Sequence, residues 1–437
     1  MSATTNPQVV PLSRQRWFVA ALVLLFLGLG VQYTFKVGDQ HRSAILRWRP
    51  QIQQINNVDI YQRFTYPNPP IMALLLKPVV DLPPLAGSLA WFYLKVAMTL
   101  MAFFWVFKLV ESPGHVFPSW AKALVILMSL RPIMGDLSHG NVNLFILFLV
   151  IAALYAFHRG FDFSTGVILG LAVACKVTPA LFIPYFLWKR AWKTLAGFGA
   201  GLVLFLFLVP GLYLGMARNV DLFHSWYDCM IKPYMVKGQV TTEHVNQSLP
   251  GLVYRWFSPE ASLNDKDNLS EFGAIAELDP RILGWIVKGI MAGFGVLVVW
   301  TCRTPTQPRH GWRLAAEFSL ILLGMLLFSE RTWKHHCVTL LLPFTVLIYY
   351  VAVCRPGPQM RYYLVGTLVA VLLLMMATST GLVDFWDRTA KLAQADGAYV
   401  WAYFLLIAAL AIMLRRKDVG VKESINDAYI GHGISRC

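Results

Sequence analysis

Apolar runs near the length needed to cross a bilayer recur along almost the whole chain, and Lys and Arg gather in the short segments between them. The runs fall near 17–35, 85–110, 121–134, 144–157, 195–213, 283–301, 314–328, 338–353, 364–378 and 399–414. A further apolar stretch, 163–188, follows His158-Arg159 and ends at Lys189-Arg190 and Lys193, so both of its ends carry the positive signal of a cytoplasmic face. One helix cannot satisfy both. Lys176 and Pro179 split the stretch into two short helices that turn back on the opposite side, and broken helices are tolerated at membrane depth only when buried in protein or lining a cavity. The pattern predicts an all-α polytopic membrane bundle of roughly twelve crossings, within a range of about 10–13.

Charge orients the bundle. Arg14 and Arg16 precede the first run, which places residues 1–16 in the cytoplasm; Arg303, Arg309, Arg313, Arg355, Arg361 and Arg415-Arg416-Lys417 then all fall on that side, as does a 415–437 tail. Residues 17–414 form one transmembrane domain, with external segments at about 36–70 and 216–281 and a shorter external turn over 135–141. Residues 41–49 fit a short amphipathic helix at the interface. The first run is long and has no small-residue cleavage site after it, so it is expected to stay as a span.

Composition sharpens this reading. A content of 57% hydrophobic and 14% charged residues does not fit a soluble globule. The formal net charge of +15 would suggest nucleic acid in a soluble protein, but here the positive-inside rule accounts for it, and no nucleic-acid partner is expected. The cysteines at 175, 229, 302, 337, 354 and 437 are scattered without ligand spacing, so neither a disulfide framework nor a metal site follows.

The candidate chemistry lies on the external side. The segment Ser329–His336 sets Arg331, Lys334, His335 and His336, with Trp333, between two apolar runs, where cationic donors suit an anionic group such as a phosphate carried on a lipid. Adjacent histidines point in different directions on a helix, so one of the two is expected to reach a ligand and metal binding by the pair is not. Lys176, between apolar halves, should face a cavity or snorkel to the interface. Asn141 and Asn143 open a span and can cap it. Asp39 and Asp59 are the competing carboxylates for a general base. Thr65-Tyr66-Pro67-Asn68-Pro69-Pro70 reads as a rigid entry into a short embedded segment.

The ordered set of Asp39 after the first span, Phe64–Pro70, Gly140–Asn143, Lys176–Pro179, Asn246-Gln247-Ser248-Leu249 and Trp333–His336 resembles glycosyltransferase family 87, over about 17–343. Here Asn68 interrupts the family's compact Tyr-Pro-Pro, and Asn141 stands where Gly-Gln-x-Asn is common. The resemblance implies a GT-C membrane fold with extracytoplasmic loops forming the active site in a bacterial inner membrane, its site facing the periplasm or exterior. It implies inverting transfer of a sugar, mannose first, from a polyprenyl-phosphate donor to a glycan or glycolipid acceptor, with no cofactor beyond the donor. Asp39 would act as base, with Asp59 as second choice. His335, His336, Lys334, Arg331 and Lys176 would hold the donor phosphate, and Tyr66, Asn141, Asn143, Asn246, Gln247 and Trp333 would line the substrate pocket. A transporter or flippase of lipid-linked sugars is the competing reading, though the chain has no clear internal repeat.

Overall fold

The computed structural model describes residues 12–38, 43–258, 275–307, 309, 311–380 and 384–416. Asp39 lies outside the described residues, as does most of the 415–437 tail. Among the described residues the secondary structure is helical, apart from one isolated bridge between Ser112 and His115.

Helix α1 (Leu12–Val37) leads into three short helices that fill the first polar segment: α2 (Ala44–Gln53), α3 (Ile60–Phe64) and α4 (Pro70–Val80). α2 buries Ala44, Ile45, Trp48 and Ile52 on one face, the stripe expected of the amphipathic stretch. Asp59 caps α3, accepting from Tyr61 N at 3.0 Å and Gln62 N at 3.2 Å. Pro70 opens α4, where no backbone donor is needed. The bundle continues with α5 (Pro84–Val110), α6 (Ser119–His139), α7 (Asn143–His158) and α8 (Asp162–Cys175).

A 3₁₀ turn, Thr178–Leu181, then leads into α9 (Phe182–Trp188), and α10 (Trp192–Leu202) joins α11 (Val209–Leu214) through a π-helical stretch. The second polar segment contains α12 (Met216–Trp226), α13 (Lys232–Met235) and α14 (Leu249–Phe257). α15 (Pro280–Thr301) and α16 (Trp312–Leu327) follow; a 3₁₀ stretch, Lys334–Leu340, runs into α17 (Leu341–Tyr349); α18 (Pro358–Ala377), α19 (Asp384–Ala395) and α20 (Ala398–Arg415) complete the chain.

The protein is an integral membrane protein. Among the described residues, six helical segments are long and apolar enough to cross a bilayer: 84–110, 192–214, 280–301, 334–354, 358–377 and 398–415. The apolar helices over 143–158, 162–175 and 178–188 are shorter, and α7 is buried along most of its length by its neighbours. α16 and α17 form the centre of the core, with every residue from Leu314 to Leu327 and from Leu341 to Tyr349 buried. α8 and α10 approach closely because small residues face each other: a Cβ on Gly170 would lie 2.9 Å from Gly201 Cα.

The turn expected over 135–141 is largely helix. α6 continues through Arg131, Pro132 and Asp136 to His139 and ends at Gly140, whose φ of +67° favours a residue without a side chain. The charges do not end the helix because each is matched inside the protein. Arg131 donates to Thr378 Oγ1 at 3.0 Å and to the Met375 carbonyl, and Asp136 is paired with Lys95 of α5.

Contacts sort the interhelical segments into two ends. At one, Lys189 Nζ donates to Thr304 O at 2.7 Å and lies 2.6 Å from the buried Glu317, Arg309 pairs with Asp162, and Arg313 reaches Leu414 O at 2.7 Å. Both ends of the α8–α9 pair therefore meet the 302–309 loop, with Lys176 at the turn between them. The opposite end holds α2–α4, α12–α14 and the 329–336 segment, joined by bonds from Arg218 to Ile55 O, Trp226 to Pro67 O and Asn246 to Glu330 O.

Candidate active site

At that opposite end a buried polar chain begins on α5. Lys95 Nζ lies 3.3 Å from Asp136 Oδ2 and donates to the Asp136 carbonyl at 2.7 Å, with both side chains fully buried. Asp136 Oδ1 accepts from Asn143 Nδ2 at 2.9 Å, and Asn143 Oδ1 accepts from Lys176 Nζ at 2.7 Å. The carboxylate thus orients the Asn143 amide, and the amide oxygen holds the Lys176 ammonium. Asp136 Oδ2 also accepts from Leu144 N at 3.3 Å, so the preceding helix satisfies a backbone donor at the start of α7. The cap expected from Asn141 or Asn143 is not made: the N-cap is Val142, without a side-chain bond.

Lys176 and Asn143 line a small cavity of about 30 Å³. Ser329, Thr332, His336, Thr178 and Thr339 complete its polar lining, and Ile146, Met325, Leu326 and Val338 form an apolar wall. An ammonium beside hydroxyls and hydrocarbon suits an amphiphile with an anionic head.

The two histidines diverge. His336 lines the cavity, and its Nδ1 lies 3.3 Å from Trp333 N and 3.2 Å from Arg331 O. His335 turns toward α6 and α7: its ring lies 4.9 Å from that of His139, and its Nε2 is 3.0 Å from Asn141 Nδ2. The Trp333 indole lies over both, 5.4 Å from His335 and 6.0 Å from His336.

Lys334 and Arg331 are not among the cavity-lining residues. Lys334 Nζ donates to Thr378 O at 2.9 Å. Arg331 donates to Thr241 Oγ1 at 3.0 and 3.1 Å and to the Tyr234 hydroxyl at 3.2 Å, beside Glu330 at 3.4 Å. Burial holds the Glu330 carboxyl above its ordinary range, although Arg331 and Thr241 act in the opposite sense.

Asn246 and Gln247 are fully buried and brace the segment that carries these groups. Asn246 Nδ2 donates to Glu330 O at 3.0 Å and to Thr241 O at 2.8 Å, while its Oδ1 accepts from Thr332 N at 2.9 Å. Gln247 N donates to Thr332 O at 2.6 Å, and its side chain binds Gln394 O at 2.7 Å. Tyr66 is also fully buried, edge-on to Trp48 at 5.8 Å.

Asp59 is the cap of α3. Asp39 lies outside the described residues, but the chain on both sides of it borders the site. Lys36 Nζ donates to Ser138 Oγ at 2.6 Å, and Ser43 Oγ lies 3.1 Å from the Tyr33 hydroxyl, with both of those oxygens close against Gly140.

The sequence reading passes over Lys95 and Thr339, and it sets Asp136 in a polar turn on the external side without giving it a partner or a role. A lone charge deep in the apolar run 85–110 was the available signal for Lys95, since an ionisable group at membrane depth marks a site or a buried partner. The pairing of Asp136 with Lys95 is legible only once α6 is known to continue past Met134. Nothing in the sequence distinguishes Thr339 from other helical threonines.

A cavity that sets the Lys176 ammonium beside an apolar wall has the chemistry to hold an amphiphilic anion. The chain belongs to glycosyltransferase family 87, whose model matches residues 64–329, and it is a glycosyltransferase. It is 27% identical over 374 residues, 80% of this chain and 76% of the relative, to the polyprenol-phosphate-mannose-dependent alpha-(1-2)-phosphatidylinositol mannoside mannosyltransferase of Mycolicibacterium smegmatis. The protein of the same name from Mycobacterium tuberculosis is 26% identical over 298 residues, 64% of this chain and 60% of the relative. Among solved structures, ArnT from Cupriavidus metallidurans in the apo state aligns with 91% of this chain and 78% of its own, at 12% identity and a TM-score of 0.36.

Proposed function

We propose that this enzyme transfers mannose from a polyprenyl-phosphate donor to a glycolipid acceptor on the extracytoplasmic side of the membrane, through a GT-C-type bundle of about twelve crossings. The observation that carries the reading is the cavity in which Lys176, Asn143 and His336 face the apolar wall of Ile146, Met325, Leu326 and Val338. A lipid phosphate has both halves of that chemistry, and the relatives' names supply mannose as the sugar and a phosphatidylinositol mannoside as the model acceptor.

In the transfer, an acceptor hydroxyl oxygen attacks the anomeric carbon as the bond from that carbon to the phosphate oxygen breaks. The carboxylate of Asp39 takes the hydroxyl proton, and the lipid phosphate leaves with its charge held by Lys176 and hydrogen-bond donors around it. Asp39 is the base we assign because its place after the first span matches the family's motif order; Asp59, the second choice, caps α3, and Asp136 is buried against Lys95, Asn143 and Leu144. His335, Lys334 and Arg331 would then act mainly by shaping the segment that presents His336.

The transporter reading has no comparable support, because the matched family and relatives are transferases. The test is transfer of labelled mannose from polyprenyl-phosphate mannose to phosphatidylinositol mannoside by the purified protein. Asp39→Asn should lower kcat by about 10²–10⁴-fold with the fold retained. Turnover within a few-fold of the parent would remove Asp39 from the mechanism.

A further inference from the structure

Two threonines are buried in the wall of the cavity, and their hydroxyls differ. Thr332 Oγ1 donates to Leu326 O at 2.7 Å. Thr339, only 6% exposed, has an Oγ1 with no hydrogen-bond partner. Several other helical hydroxyls close onto the carbonyl four residues back: Thr345 onto Leu341 O at 2.7 Å, Ser319 onto Ala315 O at 2.8 Å and Thr301 onto Leu297 O at 2.7 Å. Thr339, in the 3₁₀ stretch Lys334–Leu340, makes no such bond.

Ser88, Ser129 and Thr194 also hold unpartnered buried hydroxyls, but none of them lines the cavity. Thr339 thus both lines the cavity that Lys176 lines and carries a hydroxyl without a partner, and an anionic oxygen bound there would supply one.

We propose that Thr339 is a donor-binding residue, its hydroxyl donating to a non-bridging oxygen of the lipid phosphate that Lys176 holds. This rests on the reading of the cavity as the donor site, so the experiment carries a control for that reading. Equilibrium binding of radiolabelled polyprenyl-phosphate mannose to the purified full-length protein is compared for the parent, Thr339→Val, Thr339→Ser and Lys176→Met.

Thr339→Val keeps the shape of the side chain and should weaken donor binding about tenfold, the scale of one hydrogen bond to a charged group. Its Tm should not fall, because no protein partner is lost, and Thr339→Ser should bind within about twofold of the parent. Unchanged binding by Thr339→Val beside weakened binding by Lys176→Met would overturn the role of Thr339 and leave the donor site standing. Unchanged binding by Lys176→Met would remove the donor site, and this inference with it. A Tm lowered by Thr339→Val and restored by Thr339→Ser would place the hydroxyl's partner inside the protein and overturn the proposal.

Discussion

Lys95 and Asp136 decide whether the polar end of this bundle can exist. Each is fully buried, and an isolated charge there would be costly, yet the ammonium has both the carboxylate and the carbonyl of Asp136. Removing one partner strands the other, so Lys95→Met should destabilise the protein by about 3–5 kcal/mol in denaturant unfolding. Its effect on transfer should pass through Asn143 and Lys176, which lose their anchor. A stability within about 1 kcal/mol of the parent would mean that the pair is not held as described. At this scale the sequence was partly legible. The cationic segment 329–336 stood out because its charges interrupt apolar runs, but the separate tasks of its members did not: His336 lines the cavity, whereas Lys334 and Arg331 bind Thr378 and Thr241. Which way a side chain turns depends on the 3₁₀ geometry of 334–340, and that depends on packing against α6 and α16 rather than on local pattern.

Among the elements, the segment between α16 and α17 is the one that positions chemistry without being regular itself. Asn246 takes the place of a neighbouring strand for it, bonding Glu330 O, Thr332 N and Thr241 O together. Asn246→Ala should therefore lower stability by about 2–4 kcal/mol and reduce transfer more steeply than donor-independent properties, as thermal unfolding and mannose transfer measured together would show. Full activity in a folded Asn246→Ala protein would separate the 329–336 segment from the site. The helices themselves were readable from apolar run length, including the paired short helices that turn at Lys176. α6 was cut short at Met134 because Arg131, Pro132 and Asp136 look like breakers until their partners on Thr378 and Lys95 are known. α19 was missed because a polar helix leaves no apolar run, although its Gln394 binds Gln247 through the backbone.

For the whole molecule, the arrangement of charge implies an orientation. Lys189, Arg303, Arg309 and Arg313 gather at one end and the cavity belongs to the other, which is the ground, through the positive-inside rule, for proposing that the site faces away from the cytoplasm. In a cysteine-free background, a cysteine at the exposed Glu243 should react with an impermeant maleimide in intact cells, and one at the exposed Arg190 only after permeabilisation. The reverse labelling would invert the topology and place the site on the cytoplasmic side. The central claim is more local than orientation: the phosphate of a lipid-linked sugar sits between Lys176 and the apolar wall of Met325 and Leu326. Its most direct test is a density map of the purified protein saturated with polyprenyl-phosphate mannose. Phosphate density is expected within hydrogen-bond distance of Lys176 Nζ and Thr339 Oγ1, with the prenyl chain leaving past Met325. Well-defined donor density elsewhere, with the Lys176 cavity empty, would contradict it.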